Sequence, residues 1–176
     1  TDGAVSPEKG DFTEHGVIGV DASRNIFVLD WWFGQKSADV WVDKMADLIV
    51  EQESRGGISC WFGESGVIRR AVEPFMIKRL VDRGAACRIE WLPSIADKEA
   101  RANGIQGLMA SGKVFWPKHA PWKAHVLDQL LRFPSGKHDD AADVMGMFGR
   151  GLKFVNAAKK PVRRRVFESV GSWMSG

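Results

Sequence analysis

Apolar positions fall into two kinds of run along this chain. Short continuous or alternating runs read as strands: GVIGVD (16–21), NIFVLDWWF (25–33), ISCWF (58–62), CRIEWL (87–92) and KVFW (113–116). The first two flank the turn-like Ala22, Ser23 and Arg24 and predict a β-hairpin. ISCWF, a short and mostly apolar run, suits a central strand covered on both faces. Longer stretches with apolar residues three or four apart read as helices. Ser37 supplies an N-cap for a helix over 38–53, with Trp41, Met45, Leu48 and Ile49 on one face and Arg55-Gly56-Gly57 as its stop. A second helix, over about 68–83, turns Val72, Phe75, Met76 and Leu80 inward; Pro74 marks its true start or a kink. Ser94 or Asp97 opens a third, ending near 111, and Pro121 begins a fourth that stops before Pro134. The last helix repeats Val144, Met145, Phe148 and Leu152 at helical spacing. The order predicts an α/β fold, a mixed β-sheet flanked by helices on both faces.

Composition narrows this picture without redirecting it. The chain has 176 residues, 44% of them hydrophobic, enough for one domain with a sizeable core. We place that domain at 1–152, followed by a basic tail at 153–176 in which Lys159, Lys160, Arg163, Arg164 and Arg165 surround Pro161. The net charge of +3 permits a polyanionic partner without demanding one. Cys60 and Cys87, the two cysteines, lie in apolar runs and read as reduced core thiols. The eight tryptophans read as packing residues. No run reaches membrane-spanning length and no signal peptide is visible, so a soluble protein of a reducing compartment is expected. The polar start at 1–10 is abrupt and reads as a cut from something longer.

The candidate chemistry centres on GKHDDAAD (136–143) at the mouth of the last helix. Asp139 and Asp143 lie four apart, and Asp140 and Asp143 three apart, so each pair shares a side of the first turn. Like charges held this close are solvated or share a cation. Acids there also complement the helix dipole, by about 0.3–1 kcal/mol each, so this stretch alone leaves both readings open. Glu64 comes directly off the end of ISCWF between Gly63 and Gly66, where open α/β sheets build their sites; a solvated loop glutamate is the plainer alternative. Asp11 precedes the hairpin, and Asp2 stands where a preceding strand would end; both also read as loop acids. Asp21 reads as a turn former and Asp30 as the exposed side of its strand. Carboxylates from separate elements suit two-metal phosphoryl transfer, because magnesium takes oxygen ligands and a pair of ions clamps attacking and leaving oxygens. His15, His119, His125 and His138 show no zinc spacing with the cysteines. The stretch from Gly107 to Lys113 imitates a phosphate loop but has Val114 where Ser or Thr is needed, and runs helix to strand. Lys98 and Arg101, three apart, suit contact with a phosphodiester backbone or a solvated helix face.

Taken together these pieces resemble the nuclease domain of the phage terminase large subunit, the DNA-packaging enzyme of tailed phages. The matching pieces are TDGA (1–4), GDFT (10–13) leading into VIGVD (17–21), Gly34-Gln35, DVW (39–41), the Glu64 strand end, DKEARA (97–102), Pro121-Trp122, LRFP (131–134) and HDDAAD (138–143). The resemblance implies a ribonuclease H-like fold that cuts double-stranded DNA with two Mg2+ or Mn2+ ions, leaving 5′-phosphate and 3′-hydroxyl ends. It assigns Asp2 to the acid ending the first strand, Glu64 to the central-strand acid, and Asp139 and Asp140 to the acidic pair of the last helix. These four would be catalytic. Asp143 and Asp11 would join them in holding metal, and Lys98, Arg101, Lys137 and His138 would meet DNA. The departure is at the start: the strand that should carry Asp2 is almost wholly missing. The family's partners would be an ATPase motor in the same full-length protein, the portal and the small terminase subunit, in the host cytoplasm. No phosphate loop is present, so packaging by this chain alone is excluded. A Holliday-junction resolvase or transposase-like nuclease of the same fold is the alternative enzyme, and a non-catalytic DNA-binding packaging module the alternative from another class.

Overall fold

The structure is a computed structural model that describes residues 12–155. Asp2, Asp11 and the basic cluster at 159–165 lie outside the described residues. The elements in order are β1 (Thr13–Val20), β2 (Ile26–Gly34), α1 (Ala38–Glu51), β3 (Cys60–Glu64), α2 (Val67–Asp82), β4 (Arg88–Leu92), α3 (Lys98–Ala110), β5 (Val114–Phe115), α4 (Lys123–Arg132) and α5 (Asp140–Gly151). Short 3-10 turns occupy Glu53–Arg55 and Leu152–Phe154.

β1 and β2 form the expected antiparallel hairpin, with a register shift between Val17 and Ile18. Asp21 makes its turn: the carboxylate accepts the backbone N–H groups of Ser23 (2.9 Å) and Asn25 (2.8 Å) and the Asn25 amide (2.9 Å). β1 begins at Thr13, ahead of the apolar run, because buried Glu14 and His15 find partners inside. Asp30 is half-buried, its carboxylate accepting the Trp31 N–H. β5 adds to β2 in parallel, and β3 and β4 pair in parallel from Cys60↔Arg88 to Glu64↔Leu92. The single mixed sheet expected from the sequence is therefore two pieces among the described residues, β1-β2-β5 and β3-β4. The cause is direct: no described strand hydrogen-bonds the outer edge of β1 or of β3.

Both pieces nevertheless lie in one layer. Strand side chains alternate between faces. Trp31 of β2 and Phe62 of β3 enter a core built on α5, with Val144, Met145 and Phe148. Their neighbours Trp32 and Trp61 pack against a second core of Trp41, Met45 and Ile49 from α1 with Val72, Met76 and Leu80 from α2. Helices cover both faces, as the element order predicts. Phe75 is a correction: it is 64% exposed, because the buried line of α2 runs through Val72, Met76 and Leu80 at strict four-residue spacing. Pro74 lies within α2. Asp97 caps α3, accepting the Ala100 N–H at 2.8 Å, which decides between it and Ser94. Ser37 sits at the N-cap of α1 without a side-chain capping bond.

α5 is enclosed, with every residue from Asp140 to Phe148 buried. Its approach to α3 depends on glycine. A Cβ at Gly149 would stand 2.7 Å from the Ile105 nitrogen, and one at Gly146 would overlap the Arg101 carbonyl. No helix among the described residues is long and apolar enough to cross a membrane.

Candidate functional site

The start of α5 gathers the acids that the sequence singles out. Asp139 occupies the N-cap position, Asp140 and Asp143 the first turn. They are not solvated: Asp140 is 1% exposed and Asp143 7%. Burying a carboxylate is costly unless it is paired or hydrogen-bonded, so the partners carry the explanation. Arg101, brought in by the glycine-mediated contact of α3 with α5, places Nη1 2.8 Å from Asp143 Oδ2 and Nη2 3.9 Å from Asp139 Oδ2. Asp140 Oδ2 accepts the Phe12 N–H at 3.2 Å and lies 4.0 Å from His138 Nδ1. The start of β1 is thereby fixed to the start of α5.

Glu64 arrives from the C-terminal end of β3, as expected, and belongs to the same end of the molecule. Arg150, two turns further along α5, donates to the Pro93 carbonyl at 2.7 Å. Burial lowers its guanidinium below the ordinary arginine value, while Glu64 and Asp143 together favour its charged form and Arg101 opposes it. Glu64, Arg150, Arg101 and Asp143 thus form a run of charges along one rim.

Of the proposed DNA contacts, Arg101 points into the carboxylates and is only 16% exposed. The alternative of a solvated helix face therefore does not describe Arg101, which pairs with buried Asp143. Lys137 is exposed, His138 is half-buried, and Lys98 opens α3. His138 packs its ring edge-on against Phe12 at 5.3 Å.

A second set of residues was not singled out by the sequence reading. Glu14, wholly buried, accepts the Trp31 indole N–H (2.7 Å) and the Gln129 amide (2.7 Å), with His125 Nε2 at 2.9 Å. The Gln129 carbonyl accepts the Ala141 N–H at 2.9 Å. The first turn of α5 is therefore capped by Gln129 from α4 rather than by its own Asp139 side chain. A signal was present: Trp122, Val126 and Gln129 share one helical stripe, and a glutamine in an otherwise buried stripe needs a polar partner.

Among the described residues, no three His, Cys, Asp or Glu side chains form a metal-holding group by themselves. In kind, the oxygen donors of Asp139, Asp140 and Glu64 fit a hard divalent cation. Cys60 and Cys87 are free thiols, and burial pushes Cys87 up to about 11, against a role as a thiolate ligand. No protein-family model and no curated protein matches the chain.

Proposed function

We propose that the chain is a metal-dependent endonuclease domain of ribonuclease H-like architecture, acting on double-stranded DNA during viral genome packaging. The observation that supports it best is the burial of Asp140 and Asp143 at the start of α5, on the same rim as Glu64. A helix that merely liked acids in its first turn would leave them in water. Asp139, Asp140 and Glu64 would hold divalent ions together with Asp2 and Asp11, and such ions supply an activated water and a stabilised leaving oxygen. The chain's own groups set the stage. Phe12 N–H and His138 orient Asp140. Arg101 neutralises Asp143 and keeps the acids from repelling one another apart. Exposed Lys137 faces an incoming phosphate backbone. The ATPase motor, portal and small terminase subunit are the partners this reading carries with it.

The test is cleavage of supercoiled plasmid in magnesium or manganese. Glu64→Ala and Asp140→Asn should each lose at least a hundredfold in rate while keeping the native circular dichroism spectrum. Undiminished cutting by both folded variants refutes the proposal. One observation favours a second reading, a DNA-binding module without catalysis: Arg101 already neutralises Asp143. That reading expects salt-dependent DNA affinity with no metal-dependent cleavage. A junction-resolving nuclease would instead prefer branched DNA over linear duplex.

A further inference from the structure

Glu14 is a wholly buried carboxylate that the proposed chemistry leaves unused. Its oxygens meet three partners: the Trp31 indole N–H (2.7 Å), the Gln129 amide nitrogen (2.7 Å) and His125 Nε2 (2.9 Å). The same Gln129 nitrogen lies 2.9 Å from His125 Nε2. The His125 ring stacks on Phe33 with centroids 3.7 Å apart, and the Phe12 ring meets it edge-on at 5.3 Å. Phe12 and Glu14, two residues apart, therefore reach the same histidine. Both also reach the acidic turn. The Phe12 N–H donates to Asp140 Oδ2 at 3.2 Å. Glu14 acts through Gln129, whose carbonyl accepts the Ala141 N–H at 2.9 Å. Asp140 and Ala141 are consecutive, so the side chain of one and the backbone of the next are tied to a single short step at the start of β1.

The second tie has a direction. A side-chain amide has a donor end and an acceptor end, whereas an ionised carboxylate only accepts. Facing Glu14, Gln129 must present its nitrogen, and its oxygen is then left for Ala141. An apolar side chain would fill the same space without the cost of burying a carboxylate, so acceptor-only chemistry is what position 14 uses. We propose that Glu14 is a positioning residue: by fixing which way the Gln129 amide points, it sets the first turn of α5 and holds Asp140 in place for a divalent cation. This rests on the reading of Asp140 as a metal ligand. Groups that orient a ligating carboxylate matter about 10–100-fold to metal affinity.

The test exchanges the two groups and reads Mn2+ binding from the free-ion signal in electron paramagnetic resonance, with no DNA present. Gln129→Glu sets two carboxylates face to face and should weaken binding by about tenfold or more. The loss should grow as pH rises, because facing carboxylates share a proton that higher pH removes, whereas binding by the unaltered chain does not weaken in that direction. Adding Glu14→Gln puts an amide nitrogen opposite the carboxylate, leaves the second carboxylate oxygen for Ala141, and should restore most of the binding at every pH. In plasmid cleavage the single variant should lose kcat and keep the KM for DNA. Undiminished Mn2+ binding by Gln129→Glu across the pH range, or no recovery in the double variant, overturns the proposal. If Gln129→Glu loses the native circular dichroism spectrum, Gln129→Met removes the Ala141 acceptor without opposing two like groups. It should weaken binding, with no further loss when Glu14→Gln is added, because position 14 acts through 129; either contrary result overturns the proposal equally. Absence of Mn2+ binding by the unaltered chain refutes the metal reading of Asp140 itself and this proposal with it.

Discussion

Arg101 and Asp143 show how much rests on one pair of side chains. The pair is 2.8 Å apart and almost out of water, so each ion depends on the other. Breaking a buried pair from one side leaves an uncompensated charge, at a cost of about 3–5 kcal/mol. Arg101→Met should lower stability in urea by about that amount, and adding Asp143→Asn should recover most of it. A loss below about 1 kcal/mol would show the pair to be solvated. His15 makes a different prediction. It is wholly buried, bonded to the Trp41 carbonyl at 2.9 Å, and burial lowers it to about 3. The unfolded chain binds this proton near pH 6.5 and the folded chain only near 3, so His15 favours folding fully above 6.5. That contribution falls as pH drops through the window, at up to about 1.4 kcal/mol per unit. His15→Leu should flatten the difference in denaturation midpoint between pH 7 and pH 4; an unaltered slope would contradict the burial.

At the level of elements, α5 is set in place by neighbours rather than by its own caps. Gln129 holds its first turn, and Gly146 and Gly149 admit α3. Gly149→Ala should overpack that crossing and cost about 1–3 kcal/mol, measured by thermal and urea unfolding. Gln129→Leu removes the partner of the Ala141 N–H and one donor to buried Glu14, a loss of about 1–3 kcal/mol for each unsatisfied group. The helices and most strands were legible from spacing, because apolar periodicity reports burial directly. Phe75 misled because its neighbours are apolar while its own direction lies off the buried line. Glu14 and Gln129 were hidden for the opposite reason: polar letters read as surface until their partners, more than a hundred residues apart, are known. Asp139, Asp140, Asp143 and Glu64 stood out because acids at strand and helix ends are chemically conspicuous, yet nothing local announced that Arg101 would turn inward to meet them.

For the whole molecule, the decisive arrangement is a layer of two sheet pieces held between α5 on one side and α1 with α2 on the other. Phe148 belongs to the core built on α5: its ring meets Trp31 edge-on at 6.4 Å, and it borders the cavity lined by residues of β1 and β3. Phe148→Ala should cost about 3–5 kcal/mol. Unfolding followed by tryptophan emission and by circular dichroism should still coincide, since both cores share the same layer. Two separated transitions would mean that the halves fold independently.

The enclosure of α5 also bears on how such a chain can diverge. From Asp140 to Phe148 each position is committed to packing or to charge balance, so drift there meets resistance on every side of the helix. Phe75 and Val81 on α2 and Leu131 on α4 face water and carry no such constraint. Descendants of this sequence should change first on those outward faces and last along the acidic helix, and a library of random single replacements selected for folding would display that gradient directly.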